Sequence, residues 1–251
     1  MVQALNASAS RLRLGLGLKP STTALALTLA ATLLAVGCGG GERIRDIYFA
    51  LSSEVAVSPG SNTVPGTLRV SPLAARGFVG GSRIVYRTAE QPLQVQRYNE
   101  LLWEEVPARA LADDLLAALR AGKAFEHIVT AGDPARADYL LTGELARFDH
   151  LPTGWPPATA TGQPAMGLKT QTTDGSSGLP PGVSIEFSLA LVDGGSRRLL
   201  VSKTFAGFEP TATDARGRTT PEAMVDAFNR LAGRLIGELL RDIQTGTREL
   251  R

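Results

Sequence analysis

The side chains able to do chemistry are few. The 251-residue chain holds one cysteine, Cys38, and two histidines, His127 and His150. A single thiol excludes an intramolecular disulfide framework and a cysteine-based zinc site. It leaves Cys38 as a nucleophile that could accept an acyl or alkyl group. Neither histidine has an acid or thiol at motif spacing. His127 follows Phe125-Glu126 at an expected strand start and His150 falls at a loop edge, so both read as surface or strand-end residues rather than bases. Asp113-Asp114 imitates paired carboxylates. Adjacent residues on a helix diverge by about 100°, so the two do not converge on one site. Gly80-Gly81-Ser82-Arg83 lacks the lysine and helix context of a phosphate loop, and no G-x-S-x-G occurs. The expectation is a protein that is not an enzyme, with no cofactor and no metal.

The position of Cys38 carries more information than its rarity. Arg11, Arg13 and Lys19 precede an uncharged apolar run of 13 residues, Ala24 to Val36. As a helix it would rise about 20 Å, too short for a hydrocarbon core of about 30 Å. It fits the apolar segment of a secretory signal. The phrase Leu34-Ala35-Val36-Gly37-Cys38 resembles a bacterial lipobox, although Ala35 stands where leucine is preferred. The resemblance implies that the Cys38 thiol is joined to diacylglycerol, that cleavage before it frees an amine for a further acyl chain, and that 214 residues remain. Two or three acyl chains hold a protein on a bilayer, whereas one is marginal. Gly39-Gly40-Gly41 would then be a flexible leash. Gly39 directly after the cysteine, rather than aspartate, implies by the same resemblance the periplasmic face of the outer membrane.

Aromatic residues offer a second kind of site. Tyr86, Tyr98 and Trp103 fall within one stretch, in two β runs and the turn before a helix. A tryptophan near an exposed turn can anchor a partner, and it can equally cap a core. The three are candidate partner-binding residues.

The elements that would position them follow from periodicity. Strands are expected at Arg45–Leu51, Thr67–Ala74, Arg83–Thr88, Leu93–Tyr98, Glu126–Thr130 and Ala137–Asp149. A hairpin of Val183–Val192 with Arg198–Phe205 turns at Asp193-Gly194-Gly195-Ser196. Pro107 to Gly122 reads as a helix with proline at its first position and Gly122 as its cap. Thr220-Pro221-Glu222 starts the last helix, whose Met224, Val225, Phe228, Leu231, Leu235, Leu239 and Ile243 make one apolar face. Ser52 to Gly66 reads as a polar linker. Residues 151–182, dense in proline, glycine, threonine and serine, cannot bury enough apolar area to order themselves. The organisation expected is a lipoprotein signal peptide at 1–37, a lipidated cysteine with flexible tether and short first strand at 38–66, and a domain at 67–246 with a disordered insertion at 151–182. The fold expected is α+β, a mainly antiparallel sheet with two amphipathic helices packed on one face.

The charge balance argues against nucleic acid. The formal charge is +2 and the sequence pI about 8.9. Without residues 1–37, which carry three bases and no acid, 23 bases face 24 acids. A body of net charge −1 has no basic footprint.

Several phrases together resemble the ABC-type transport auxiliary lipoprotein family, which includes a component of paraquat-inducible systems. They are Tyr48-Phe49-Ala50-Leu51, Leu68-Arg69-Val70-Ser71-Pro72, Arg83-Ile84-Val85-Tyr86-Arg87, Tyr98 with Trp103 and Pro107, and Ala137-Asp138-Tyr139-Leu140-Leu141 with Glu144 and Phe148. The chain departs in its 151–182 insertion and in Leu102-Trp103-Glu104-Glu105, where a basic-Trp-Ala phrase is common. The resemblance implies a non-enzymatic accessory role in lipid transport across the envelope. Its implied partners are an Mce-domain substrate-binding protein and the ABC permease and ATPase of the same system. A different reading, a lipoprotein assisting assembly of another outer-membrane or cell-wall machine, stays open on the residues alone.

Overall fold

The computed structural model describes residues 45–57, 63–154 and 179–246. The expected signal peptide, Cys38, the glycine leash and residues 155–178 of the insertion lie outside the described residues.

Among the described residues there are nine strands and two helices, one helix after the fifth strand and one after the ninth. The strands are β1 (Ile47–Phe49), β2 (Val64–Val70), β3 (Ala74–Ala75), β4 (Arg83–Thr88), β5 (Gln91–Trp103), β6 (Phe125–Thr130), β7 (Tyr139–Leu151), β8 (Gly182–Asp193) and β9 (Leu199–Pro210). The helices are α1 (Pro107–Ala121) and α2 (Pro221–Gly246). A 3-10 turn, Gly77–Gly80, precedes β4.

The sheet is mixed, which corrects the mainly antiparallel expectation. Antiparallel pairs join β4 to β5, β7 to β8 and β8 to β9. Parallel pairs join β1 to β5, β2 to β6, and β2, β3 and β4 each to β7. Alternation of apolar and polar residues reports a half-buried strand and says nothing of its direction. Direction is set by the connections. β2, β4, β6 and β7 share one sense, and β5 and β8 oppose it.

β7 is the hub. One edge pairs with β8 along its length, Tyr139↔Asp193 through Leu151↔Gly182. The other edge meets β2 at Leu68–Val70, then β3, then β4 at Val85 and Tyr86. Its register shifts between Leu145 and Arg147. A Cβ on Gly143 would strike the Ser188 carbonyl and Leu189, so that glycine serves close strand approach.

The helices form where the sequence places them, and both contribute to one core. Leu111, Leu115, Ala118 and Leu119 are buried on α1, and Met224, Phe228, Leu231, Leu235 and Leu239 on α2. α2 packs on β8 and β9, α1 on β6 and β7, and the helices touch each other. Thr220 caps α2, its Oγ1 accepting from the Ala223 amide at 3.2 Å. Gly122 caps α1 where the sequence places the cap; it keeps a helical conformation, and Lys123 after it takes the left-handed one at φ 47°. The amides of Lys123 and Ala124 then reach the carbonyls of Arg120 and Leu119, the pair of bonds that closes a Schellman motif.

At the centre Trp103, Phe148 and Phe228 join β5, β7 and α2. Phe148 and Phe228 stack at 4.4 Å between centroids, and Trp103 meets them edge-on at 5.5 and 5.4 Å. Edge-to-face pairs add to what area burial supplies. Trp103→Ala is expected to lower unfolding free energy by about 3–5 kcal/mol. Urea denaturation followed by far-ultraviolet circular dichroism would measure it, and a loss below about 1 kcal/mol would contradict the central placement.

Candidate functional site

Two of the three expected partner-binding aromatics meet, and the third does not join them. β4 presents Tyr86 and β5 presents Tyr98, their rings 4.5 Å apart. Both are half-buried. Trp103 is 1% exposed, the last residue of β5 rather than a turn residue, and its indole belongs to the core. A side chain so enclosed offers no surface to a partner.

Sequence reasoning did not single out the residue that completes the cluster. His150, read as a surface or strand-end residue, does stand at the end of β7 but is 3% exposed. Parallel pairing sets Tyr86 directly opposite it. Its Nδ1 lies 2.7 Å from the Tyr98 hydroxyl. The Tyr86 hydroxyl donates to Gln96 Oε1 at 2.7 Å. Burial lowers the His150 pKa to about 4, so the imidazole is neutral near neutral pH. Burial, with the Tyr86 hydroxyl adding to it, pushes Tyr98 well above the usual phenol range. The neutral pair therefore shares one hydrogen bond, and His150 Nε2 is buried without a hydrogen-bond partner.

Asp149, the next residue along, points to the opposite face of the sheet, as strand alternation requires. It is fully buried, and Arg87 Nε donates to its Oδ2 at 2.6 Å. Burial raises the carboxyl above its ordinary range, against the opposing pull of Arg87 and Arg147. Its Oδ1 has no hydrogen-bond partner. Arg87 and Asp149 thus lock β4 to β7 from behind the tyrosine pair. No signal in one sequence separates Asp149-His150 from a solvated strand end. The distinction arises because the last four residues of β7, from Phe148 to Leu151, are buried on both faces.

A third arrangement gathers around α1 and α2. Residues 51–57 do not form the free linker expected. They run extended, with Leu51, Ser53, Val55 and Val57 turned inward and the residues between them exposed. The Ser52 amide donates to Asn229 Oδ1 on α2, and the Ser53 amide to Asp114 Oδ2 on α1, each at 3.0 Å. The Ser53 hydroxyl bonds the same carboxylate oxygen. Gly233 lies beneath, and a Cβ there would stand 2.5 Å from the Glu54 carbonyl oxygen. So Asp114 is not a solvated-face acid. It reads the backbone of this strap, while Asp113 stays exposed.

What these groups can do is bind and brace. The tyrosine pair offers half-buried rings with hydroxyls already engaged. Among the described residues, no three His, Cys, Asp or Glu side chains cluster to hold a metal. Among the described residues, no helix is long and apolar enough to cross a membrane.

Among the described residues the architecture is an α+β domain with a mixed nine-stranded sheet, two helices and a strapped segment at 51–57. Solved structures share it. Protein XCC0632 from Xanthomonas campestris, described by family-model DUF330, is similar at TM-score 0.61 and 20% identity, over 81% of this chain and 98% of that one. An uncharacterised protein is similar at TM-score 0.52 and 18% identity, over 79% and 99%. At these identities the likeness establishes a common fold. No protein-family model and no curated protein sequence matches the chain.

The buried imidazole makes stability depend on pH. Its folded pKa of about 4 lies below the ordinary 6.5, so the unfolded chain takes the proton first as pH falls. Its contribution is complete above pH 6.5 and is lost on descent to about 4, on the order of 3 kcal/mol. Asp149, its carboxyl raised, acts in the opposite sense, so the comparison must be made against His150→Gln, which retains Asp149. Denaturant titrations at pH 7 and pH 4.5 are expected to show a steeper loss for the unsubstituted protein. Equal losses would contradict the buried, neutral histidine.

Proposed function

We propose that this protein is a membrane-anchored, non-enzymatic auxiliary lipoprotein of an ABC-type lipid transport system of the Mce or paraquat-inducible kind. The observation that carries the reading is Cys38, the only thiol, placed where a short apolar run ends behind three basic residues. The family resemblance of the body, from Tyr48 to the last helix, supports it. Support from the fold is that its buried polar pairs, Arg87 with Asp149 and Tyr98 with His150, brace strands against one another.

In this reading the acyl chains confine the body to the periplasmic face of the outer membrane. Tethering raises the effective concentration at a nearby partner without any new contact. Its partners are the Mce-domain substrate-binding protein and the ABC permease and ATPase, with the ATPase supplying energy. The surface offered is the half-buried pair Tyr86 and Tyr98, since aromatic side chains dominate binding where they can be desolvated.

The experiment is affinity recovery from detergent-solubilised envelope, comparing the natural chain with Cys38→Ala and with Tyr86→Ala. Recovery of an Mce-domain or ABC component with the natural chain is expected. It should fall at least tenfold with Cys38→Ala, which leaves the body intact but unanchored. A smaller loss with Tyr86→Ala would place the contact near the tyrosine pair. Recovery of cell-wall or outer-membrane assembly proteins instead would overturn the transport reading.

A further inference from the structure

We propose that residues 51–57 are a clamp that sets the reach of the membrane tether, received by Asp114, Asn229 and Gly233. The proposal rests on anchoring at Cys38, and it concerns how far the body can stand from that anchor.

The receiving site is built to hold a backbone. Two side chains from two helices each accept an amide of consecutive residues, Ser52 and Ser53. Glycine within a helix costs about 1 kcal/mol relative to alanine. Gly233 is buried in the interior of α2, and its missing Cβ is the room that the Glu54 carbonyl occupies. Just before the strap, β1 pairs Ile47, Tyr48 and Phe49 with Leu101, Leu102 and Trp103 at the edge of the sheet. Three parallel pairs hold little alone, since Ile47 and Tyr48 remain 47% and 60% exposed. The strap therefore retains β1.

Chain length gives the consequence. Nine peptide links separate Cys38 from Ile47, and 26 separate it from Val64, the first residue of β2. At about 3.3–3.6 Å per residue, the docked strap limits the leash to about 30 Å and its release allows about 90 Å. Effective concentration falls as about the −3/2 power of linker length, so release costs about fivefold at a partner near the membrane. A clamped body works against the bilayer it is anchored to.

The test compares the natural lipidated chain with Gly233→Ala and with the triple variant Asp114→Ala/Asn229→Ala/Gly233→Leu. Gly233→Ala favours the helix on propensity while filling the space under Glu54, so unfolding does not imitate release. Amide hydrogen exchange on the full chain in detergent reads the clamp whether or not the cysteine is acylated. Exchange at Ser52 and Ser53 is expected to rise at least tenfold in both variants, with the β7 amides unchanged. Neutron reflectometry on phosphatidylethanolamine/phosphatidylglycerol bilayers reads the reach. The inner edge of the protein layer is expected to lie within about 30 Å of the surface in the natural chain and to move outward in the triple variant, from the contour arithmetic. Unprotected amides at Ser52 and Ser53 in the natural chain would overturn the clamp. Released amides with an unchanged layer would overturn its control of reach. Failure of the natural chain to float with vesicles would instead defeat the anchoring reading, leaving the exchange result to decide the clamp by itself.

Discussion

The demand that β7 be paired on both edges, and covered on both faces over its last four residues, governs this domain. β8 satisfies one edge throughout, while β2, β3 and β4 share the other in succession. A strand end so enclosed cannot leave polar atoms to water. On one face it turns Phe148 into the Trp103 and Phe228 rings, and two residues later it turns His150 toward Tyr98. On the other it buries Asp149, which is tolerable only because Arg87 reaches it from β4. The polar cluster and the aromatic core are thus two results of one placement.

The same geometry separates the tyrosines from the tryptophan. β5 runs 13 residues, long enough to leave Tyr98 beside Tyr86 at the margin and to carry Trp103 into the core. Beyond it, α1 and α2 bring Asp114 and Asn229 to either side of the strap. The N-terminal segment is therefore part of the folded body, gripped by side chains that accept from its backbone, rather than a linker that begins at the first long strand.

Much of the fold was legible in local pattern. The α2 stripe from Met224 to Leu239, the Thr220 cap and the β8–β9 hairpin are written in spacing and capping chemistry. Strand direction was not, because alternating residues look alike in parallel and antiparallel ladders. The strap was obscured by composition: Ser52, Ser53 and the following Pro and Gly read as linker. Yet Leu51, Val55 and Val57 already alternate as an extended, half-buried segment does. His150 and Asp149 were illegible for a different reason. Adjacent polar residues look solvated unless the strand bearing them is known to be covered on both sides. Trp103 was legible as an aromatic of consequence, for which core packing is commoner than a place on a contact surface, and the core is where it lies.

The account as a whole turns on what is attached at Cys38. The most direct measurement is the intact mass, with N-terminal peptide mapping, of the protein extracted from cell envelopes. The account predicts a chain beginning at Cys38 and heavier than its peptide mass by diacylglyceryl and acyl groups. A chain beginning elsewhere, or carrying a free thiol at that residue, would contradict it.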